Sequence, residues 1–217
     1  VNVQTKLTAV VVDWDGTTVK SKKVYHGSMC KVFEVVGLAP PTLQTFSHEV
    51  ARMGVMGFYR HYGILEHLAL ERITRIRDEY VDSHWHEITL RPDALELFTA
   101  CAHTRVPLIV MSSNEAWVIE QKLADCRLSS CVRKIIATDD KETSLLELIA
   151  ALKALPKSLL FVDDSGRDIR LAKRAGVSVA GFMGGYGSAS DIREAKPDFF
   201  VDSLRGVAKL VTNHRDK

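Results

Sequence analysis

The sequence predicts an α/β fold: a doubly wound parallel sheet with an inserted α-helical cap. Three observations predict it. Residues 9–12, AVVV, form an apolar run too short for a helix and rich in β-branched valine, and the run stops at two carboxylates and a glycine. With no polar alternation, it suits a strand buried on both faces of a parallel sheet. From residue 88 onward, short apolar runs alternate with stretches of helical spacing, the pattern of a sheet wound in both directions. Between residues 20 and 87 the chain reads as helices only, so this segment is an insertion that leaves from the carboxyl end of the first strand.

Taken in order, residues 24–36 are a helix closed by Gly37 and the pair Pro40-Pro41. Residues 43–53 are a second helix. Residues 64–81 are the longest, with Leu65, Leu68, Ala69, Ile73, Ile76 and Tyr80 near one stripe. Arg72, Arg75 and Arg77 lie off that stripe and read as a solvated face. Residues 92–103 form a helix with Pro92 in its first turn. A second strand, 106–111, ends at Ser112, and Ser112, Ser113 and Asn114 open a helix running to 125. The third strand is 132–137. The helix 143–155 carries a capping-box pattern in Ser144 and Glu147. The fourth strand is 158–162, the helix 169–175 stops at Gly176, and the fifth strand is 177–183. Gly184, Gly185 and Gly187 read as a flexible loop, followed by a last strand at 198–201 and a terminal helix at 204–211. The predicted division is a catalytic core of residues 1–19 and 88–217 and a cap of residues 20–87, hinged near 19–24 and 87–91.

Composition narrows the function classes. Lys and Arg number 29 against 27 Asp and Glu, a net charge of +2, which leaves no electrostatic footprint for nucleic acid. With 46% hydrophobic and 26% charged residues, the chain is ordinary globular protein. No apolar run approaches the ~20 residues that span a bilayer, and the start carries no signal-peptide pattern. Cys30, Cys101, Cys126 and Cys131 form no CxxC pair and read as reduced, mostly buried thiols of a cytoplasmic protein. His84 and His86, two residues apart, do not face each other on a helix, and with His61 and His67 they show no zinc-site spacing.

Four strand ends carry chemistry. At the first, Asp13 and Asp15 are two residues apart and can point the same way, Gly16 permits a tight turn, and Thr17 adds a hydroxyl. Two carboxylates there repel unless a cation lies between them, and open α/β sheets bind ligands at their carboxyl ends. At the second, Ser112 and Ser113 open a helix whose free N–H groups can take phosphate oxygens. At the third, Lys141 follows Asp139 and Asp140 and can neutralise a phosphoryl group; Lys134, within the strand, is the alternative. At the fourth, Asp163, Asp164 and Asp168 lie within six residues. That crowding is costly without a cation, and hard oxygen ligands suit Mg²⁺.

These ends together resemble the haloacid dehalogenase-like hydrolase superfamily, in its phosphoglycolate-phosphatase-like branch with a helical cap. The DxDGT motif stands as Asp13-Trp14-Asp15-Gly16-Thr17, the apolar strand ending in Ser or Thr as LIVMS with Ser112, and the acidic pair followed by xxxD as Asp163-Asp164 with Asp168. The third motif departs from the common KPxP text, since Lys141 is followed by Glu-Thr-Ser. The resemblance implies a Rossmann-like core and a Mg²⁺-dependent phosphatase acting on a small phosphorylated metabolite. Asp13 is the implied nucleophile, forming an aspartyl-phosphate, and Asp15 the acid that protonates the leaving oxygen and then activates water. Mg²⁺ is expected on the Asp13 carboxylate, the Asp15 backbone carbonyl and Asp164, with Asp163 and Asp168 as further or outer ligands. Gly16, Thr17, Ser112 and Ser113 are expected to hold the phosphate, and Lys141 to stabilise charge on the transferring phosphoryl group. In the cap, Arg52, Arg60, His48 and His61 are the candidates to face the site.

Two other readings compete. Trp14 resembles the DWAGT text of phosphonoacetaldehyde hydrolases, which carry a Schiff-base lysine soon after a Met-Gly pair. Here Met53-Gly54 and Met56-Gly57 are followed by Arg60 and His61, the next lysine is Lys122, and position 15 is the acid that phosphoester hydrolysis needs. A non-catalytic phosphate-binding or signalling protein would share the acidic strand ends, but a helical insert over the site argues against an exposed partner surface.

Overall fold

The computed structural model describes residues 6–213. Strand β1 (Ala9–Val12) is buried at all four positions. The chain then makes a short strand β2 (Val19–Lys20) and enters the cap, which contains α1 (Lys22–Val36), α2 (Leu43–His61), α3 (Ile64–His67) and α4 (Leu70–Ser83). It returns through a 3₁₀ turn at Trp85–Glu87 and strand β3 (Thr89–Leu90). β2 and β3 pair antiparallel, with Val19 opposite Leu90, so the two crossings between core and cap form one ribbon. The expected hinges at 19–24 and 87–91 thus include a paired segment that two-residue runs did not reveal.

The rest of the core alternates: α5 (Ala94–Thr104), β4 (Leu108–Ser112), α6 (Ala116–Asp125), β5 (Lys134–Ala137), α7 (Lys141–Leu152), β6 (Leu159–Asp163), α8 (Gly166–Arg174), β7 (Ser178–Phe182), α9 (Ala189–Glu194), β8 (Phe199–Val201) and α10 (Leu204–Asn213). The sheet order is β5-β4-β1-β6-β7-β8, and every neighbouring pair is parallel. The winding reverses at β1, which lies between β4 and β6. That switch point opens a crevice at the carboxyl ends of these three strands.

Alternation along the strands builds two cores. Val10, Val12, Leu108, Val110, Leu160 and Val162 face one layer, with residues of α5, α6 and α10. Ala9, Val11, Ile109, Met111, Leu159 and Phe161 face the other, with residues of α7, α8 and α9. Each such fully buried aliphatic side chain stabilises the fold by roughly 1.5–3 kcal/mol relative to exposure, so the strand ends are held on a rigid platform. Trp14 is 1% exposed and packs within the first of these cores. The cap has its own core of Met29, Val32, Phe33, Phe46, Phe58, Tyr59, Ile64 and Ile73.

Several boundaries differ from the sequence expectation. α2 continues past residue 53 to His61 through a kink at Gly54 (φ 73°, ψ 168°), a conformation open to glycine and strained for other residues. The single helix expected over 64–81 breaks at Leu68, which is extended (φ −136°, ψ 135°), and Ile64 and Ile73 enter the cap core from either side of the break. α6 starts at Ala116, leaving Ser112 as the last residue of β4. α7 starts at Lys141, because Asp140 caps it by accepting from Thr143 N; Ser144 and Glu147 make no capping box. α8 starts at Gly166 under a Ser165 cap. Residues 189–194, to which the sequence reading assigned no element, are α9. Of the cysteines only Cys101 is buried; Cys126 is exposed and Cys30 and Cys131 are half-buried. No described helix is long and apolar enough to cross a membrane.

Phe58 is fully buried and packs on Phe33, Phe46, Tyr59 and Tyr62. Phe58→Ala is expected to cost about 3–5 kcal/mol of stability, measured by urea denaturation followed through cap tyrosine fluorescence.

Candidate active site

Asp13 follows β1, Asp163 ends β6, and Asp168 lies in the first turn of α8. Lys141 joins them. It is the first residue of α7, and its Nζ lies 2.8 Å from Asp13 Oδ1, 2.7 Å from Asp163 Oδ2 and 2.9 Å from Asp168 Oδ2. An ammonium at a helix N-terminus works against the helix dipole, and burial works against its charge. The three carboxylates outweigh both and hold Lys141 well above the usual lysine range. Asp140 sets this position by capping α7 through Thr143 N (3.1 Å) and Thr143 Oγ1 (2.7 Å). Lys134 is an exposed residue of β5, so of the two candidate lysines only Lys141 reaches the carboxylates.

The acidic loop is built by its own backbone. Ser165 N donates to Asp163 Oδ1 (2.8 Å), and Ser165 Oγ accepts from Asp168 N (3.3 Å). Burial alone would raise Asp168, but Lys141 and Arg167 outweigh it and hold its carboxyl below the usual range. Asp163 and Asp13 are pushed up by burial, against the pull of Lys141, and by their acidic neighbours. Asp164 is pushed up to about 7 by burial and then by Asp13, and its Oδ2 accepts a hydrogen bond from Tyr186 N. The glycine-rich loop that carries Tyr186 is therefore docked on Asp164 rather than free.

Carboxylate oxygens of Asp13, Asp163 and Asp164 lie within 4.8 Å of one another, all buried. Three buried carboxylates at this spacing fit a hard divalent cation. Asp163 has its oxygens engaged by Ser165 N and Lys141, which leaves Asp13 and Asp164 the less committed of the three. The Asp15 carboxylate stands outside this cluster. Gly16 (φ 86°) completes the cradle: a Cβ there would collide with Asp164 Oδ2 and with the Tyr186 ring.

Asp15 occupies a different environment. Its Oδ2 accepts from Asn114 Nδ2 (3.1 Å), while Oδ1 is buried without a partner. Burial and then the Asp13 charge push its pKa up to about 6. Thr17 Oγ1 is likewise buried and unpartnered. Ser112 Oγ is buried and accepts from Asn114 N (3.1 Å), whereas Ser113 is exposed. Ser112 and Ser113 are not a helix start, because an extended turn separates them from α6.

Three residues with contacts at or near the site escaped the sequence reading. Asn114 bridges Asp15 to Tyr25 Oη of the cap (2.5 Å). Arg91 donates to Gly16 O through Nε (3.0 Å) and to Gly184 O (2.6 Å), pinning the loop after β1. Arg77, expected on a solvated face, is turned inward, where it donates to Tyr59 Oη (3.0 Å). The four cap residues offered as candidates to face the site, Arg52, Arg60, His48 and His61, are all exposed, with His48 on Asp191 and His61 near Glu49. Lys122 lies at the hinge, donating to Trp85 O (3.1 Å).

The sequence profile of the haloacid dehalogenase-like hydrolases matches residues 10–182, which include Asp13, Lys141, Asp163 and Asp164. The chain belongs to this family. A phosphoglycolate phosphatase of Pseudomonas putida is 24% identical over 212 residues, 91% of this chain and 77% of the relative. Among solved structures, a predicted phosphoglycolate phosphatase from Haemophilus somnus superposes with a TM-score of 0.79 at 19% identity, covering 95% of this chain and 98% of that one. A predicted phosphatase from Clostridium acetobutylicum gives 0.76 at 17% identity, covering 95% and 99%. Those two show the fold. For this member of the hydrolase family, the aspartate cluster is of the kind phosphoryl transfer uses.

Lys141→Met leaves Asp13 and Asp163 crowded and uncompensated, and Asp168 with Arg167 alone. Without divalent metal, the loss in stability at about pH 8 is expected to be roughly 3–5 kcal/mol. It should shrink toward about pH 5, because carboxyls whose folded pKa exceeds the unfolded value are relieved by protonation. Urea titrations of both proteins at the two pH values check this; a deficit that grows on acidification would contradict it.

Proposed function

We propose that the chain is a Mg²⁺-dependent phosphatase that hydrolyses a small phosphorylated metabolite through an aspartyl-phosphate on Asp13. The observation that supports this most is the division of labour between two carboxylates two residues apart. Asp13 lies against Lys141 and the acidic cluster, while Asp15 is held away from that cluster by Asn114 with a free, buried Oδ1. A nucleophile and an acid–base group need such unlike surroundings.

In this reading Asp13 attacks phosphorus and the leaving oxygen takes its proton from Asp15, which then deprotonates the water that attacks the aspartyl-phosphate. Lys141 and Ser112, with Thr17 Oγ1, face the charge that spreads over the phosphoryl oxygens. Mg²⁺, held by Asp13, Asp164 and the Asp15 backbone carbonyl, would offset the repulsion between the anionic nucleophile and an anionic substrate. The cap excludes water once closed. All four cysteines are free, which supports a reducing, cytoplasmic location.

The purified protein is expected to release phosphate repeatedly from p-nitrophenyl phosphate with Mg²⁺, with loss of activity in EDTA and recovery on readdition. Asp13→Asn should be inactive. Asp15→Ala should slow turnover by roughly 10²–10⁴-fold. Stoichiometric uptake without repeated release would instead indicate a phosphate-accepting signalling protein, and full activity of Asp13→Asn would sink the mechanism.

A further inference from the structure

Two cations stand where the chain crosses between core and cap, and the phosphoryl chemistry uses neither. Lys22 opens α1 just after the first crossing, and Arg91 directly follows β3 on the second. Both are half-buried. Among the described residues neither makes an ion pair, and both donate to main-chain carbonyls of one loop, residues 184–187, which joins β7 to α9.

Lys22 Nζ donates to Gly185 O (2.5 Å) and lies 5.4 Å from the centre of the Tyr186 ring, while the neighbouring Ser21 Oγ meets Tyr186 Oη (3.4 Å). Arg91 bridges two loops with one planar fork. Its Nε donates to Gly16 O (3.0 Å) and its Nη2 to Gly184 O (2.6 Å), with the guanidinium 4.6 Å from the centre of the Phe182 ring. Its own N–H donates to Thr18 O (3.0 Å), which fastens the β2–β3 ribbon to the loop after β1. Burial works against the charge on both side chains, and the nearby Asp164 carboxylate favours it.

The loop that these cations hold sits on Asp164. Tyr186 N donates to Asp164 Oδ2, Gly187 N donates to Asp164 O (3.2 Å), and a Cβ at Gly185 would overlap the Asp164 carboxylate. Among the described residues, the bond from Tyr186 N is the one hydrogen bond that this carboxylate accepts. The contacts therefore run from cap crossing to cation, from cation to loop carbonyl, and from loop to Asp164.

We propose that Lys22 and Arg91 are positioning residues that fix the Asp164 carboxylate through loop 184–187, so that seating of the two cap crossings and binding of a divalent cation at Asp13 and Asp164 strengthen each other. The inference rests on the cation site of the phosphatase reading, not on its substrate or its covalent intermediate, and adds a regulation of that site. A loop already held in place spares the incoming cation the cost of ordering the carboxylate. By reciprocity, a bound cation stabilises the seated crossings by the same factor. Charge alone argues the opposite way: positive side chains near the cluster repel a divalent cation, so removing either one would tighten binding if it acted only through its field. The sign of the effect separates positioning from electrostatics.

Isothermal titration with Mg²⁺ alone, without substrate, reads that sign in the wild-type protein, Lys22→Gln and Arg91→Gln. Each substitution is expected to weaken Mg²⁺ binding by roughly 10-fold. Lys22→Gln, a change at a half-buried helix start, is expected to fold and carries the test if Arg91→Gln does not. Hydrogen exchange of the wild-type protein supplies the reciprocal half: Mg²⁺ should slow exchange in loop 184–187 and also in the β2–β3 ribbon. Unchanged or tighter Mg²⁺ binding by Lys22→Gln overturns this proposal alone, whatever its melting temperature in EDTA, because an anchor of the fold would lower stability and leave the affinity intact. Mg²⁺ protection that is absent from the ribbon overturns it too. No Mg²⁺ binding by the wild-type protein overturns the cation site of the proposed function, and this inference with it.

Discussion

One ammonium group between three carboxylates organises the sheet edge. Lys141 Nζ meets Asp13, Asp163 and Asp168 within 2.9 Å, and these come from the loop after β1, the end of β6 and the first turn of α8. Among the described residues none of those carboxylates has another buried cation in contact, and the second cation on Asp168, Arg167, is half-exposed. Without the lysine, the three strand and helix ends would repel each other in a medium where charge is poorly screened. With it, Asp13 is held at one place and in one orientation, which the nucleophile role proposed for it would require. Asp164 is left out of the lysine's grasp and points instead at Tyr186 N. A divalent cation would thus find carboxylate oxygens beside an anchored Asp13.

The cap is fastened to this edge through the residues that build it. Ser165 orders the acidic loop with its N–H and caps α8 with its Oγ, and the same hydroxyl donates to Ala51 O of the cap (2.8 Å). Tyr186, docked on Asp164, packs its ring 6.2 Å from that of Phe46. Asn114 holds Asp15 and Tyr25 together. Moving the cap would break the Tyr25–Asn114 contact beside Asp15 and the Ala51–Ser165 contact at the acidic loop at once, so cap position and site geometry are one equilibrium rather than two.

The catalytic edge was legible because its signal is local. Aspartates at fixed spacing after an apolar run mark Asp13, Asp15, Asp163 and Asp164 without any knowledge of the partners, whereas chain position left Lys141 and Lys134 both open and only the packing brings Lys141 to the carboxylates. The cap was harder. Its helices exist where the spacing put them, but a strained Gly54 extends one and an extended Leu68 divides another, and both depend on how the cap core closes. Arg77 shows the limit most clearly. Its position off the apolar stripe says that it avoids Ile73 and Ile76, not whether water or the acid site lies beyond. Asn114 and Arg91 were hidden for a related reason: each acts on a residue more than 70 positions away, through contacts that tertiary packing alone creates.

The account stands on covalent transfer to Asp13. Mixing the enzyme with substrate and Mg²⁺, quenching in acid during turnover and reducing with borohydride tests it at the atom concerned. An aspartyl-phosphate is reduced to homoserine, so peptide mass spectrometry should find homoserine in place of Asp13 and aspartate unchanged at Asp15, Asp163 and Asp164. Efficient turnover with Asp13 unreduced at every quench time, and no homoserine elsewhere, would mean that water attacks the substrate directly and would contradict the role assigned to Asp13.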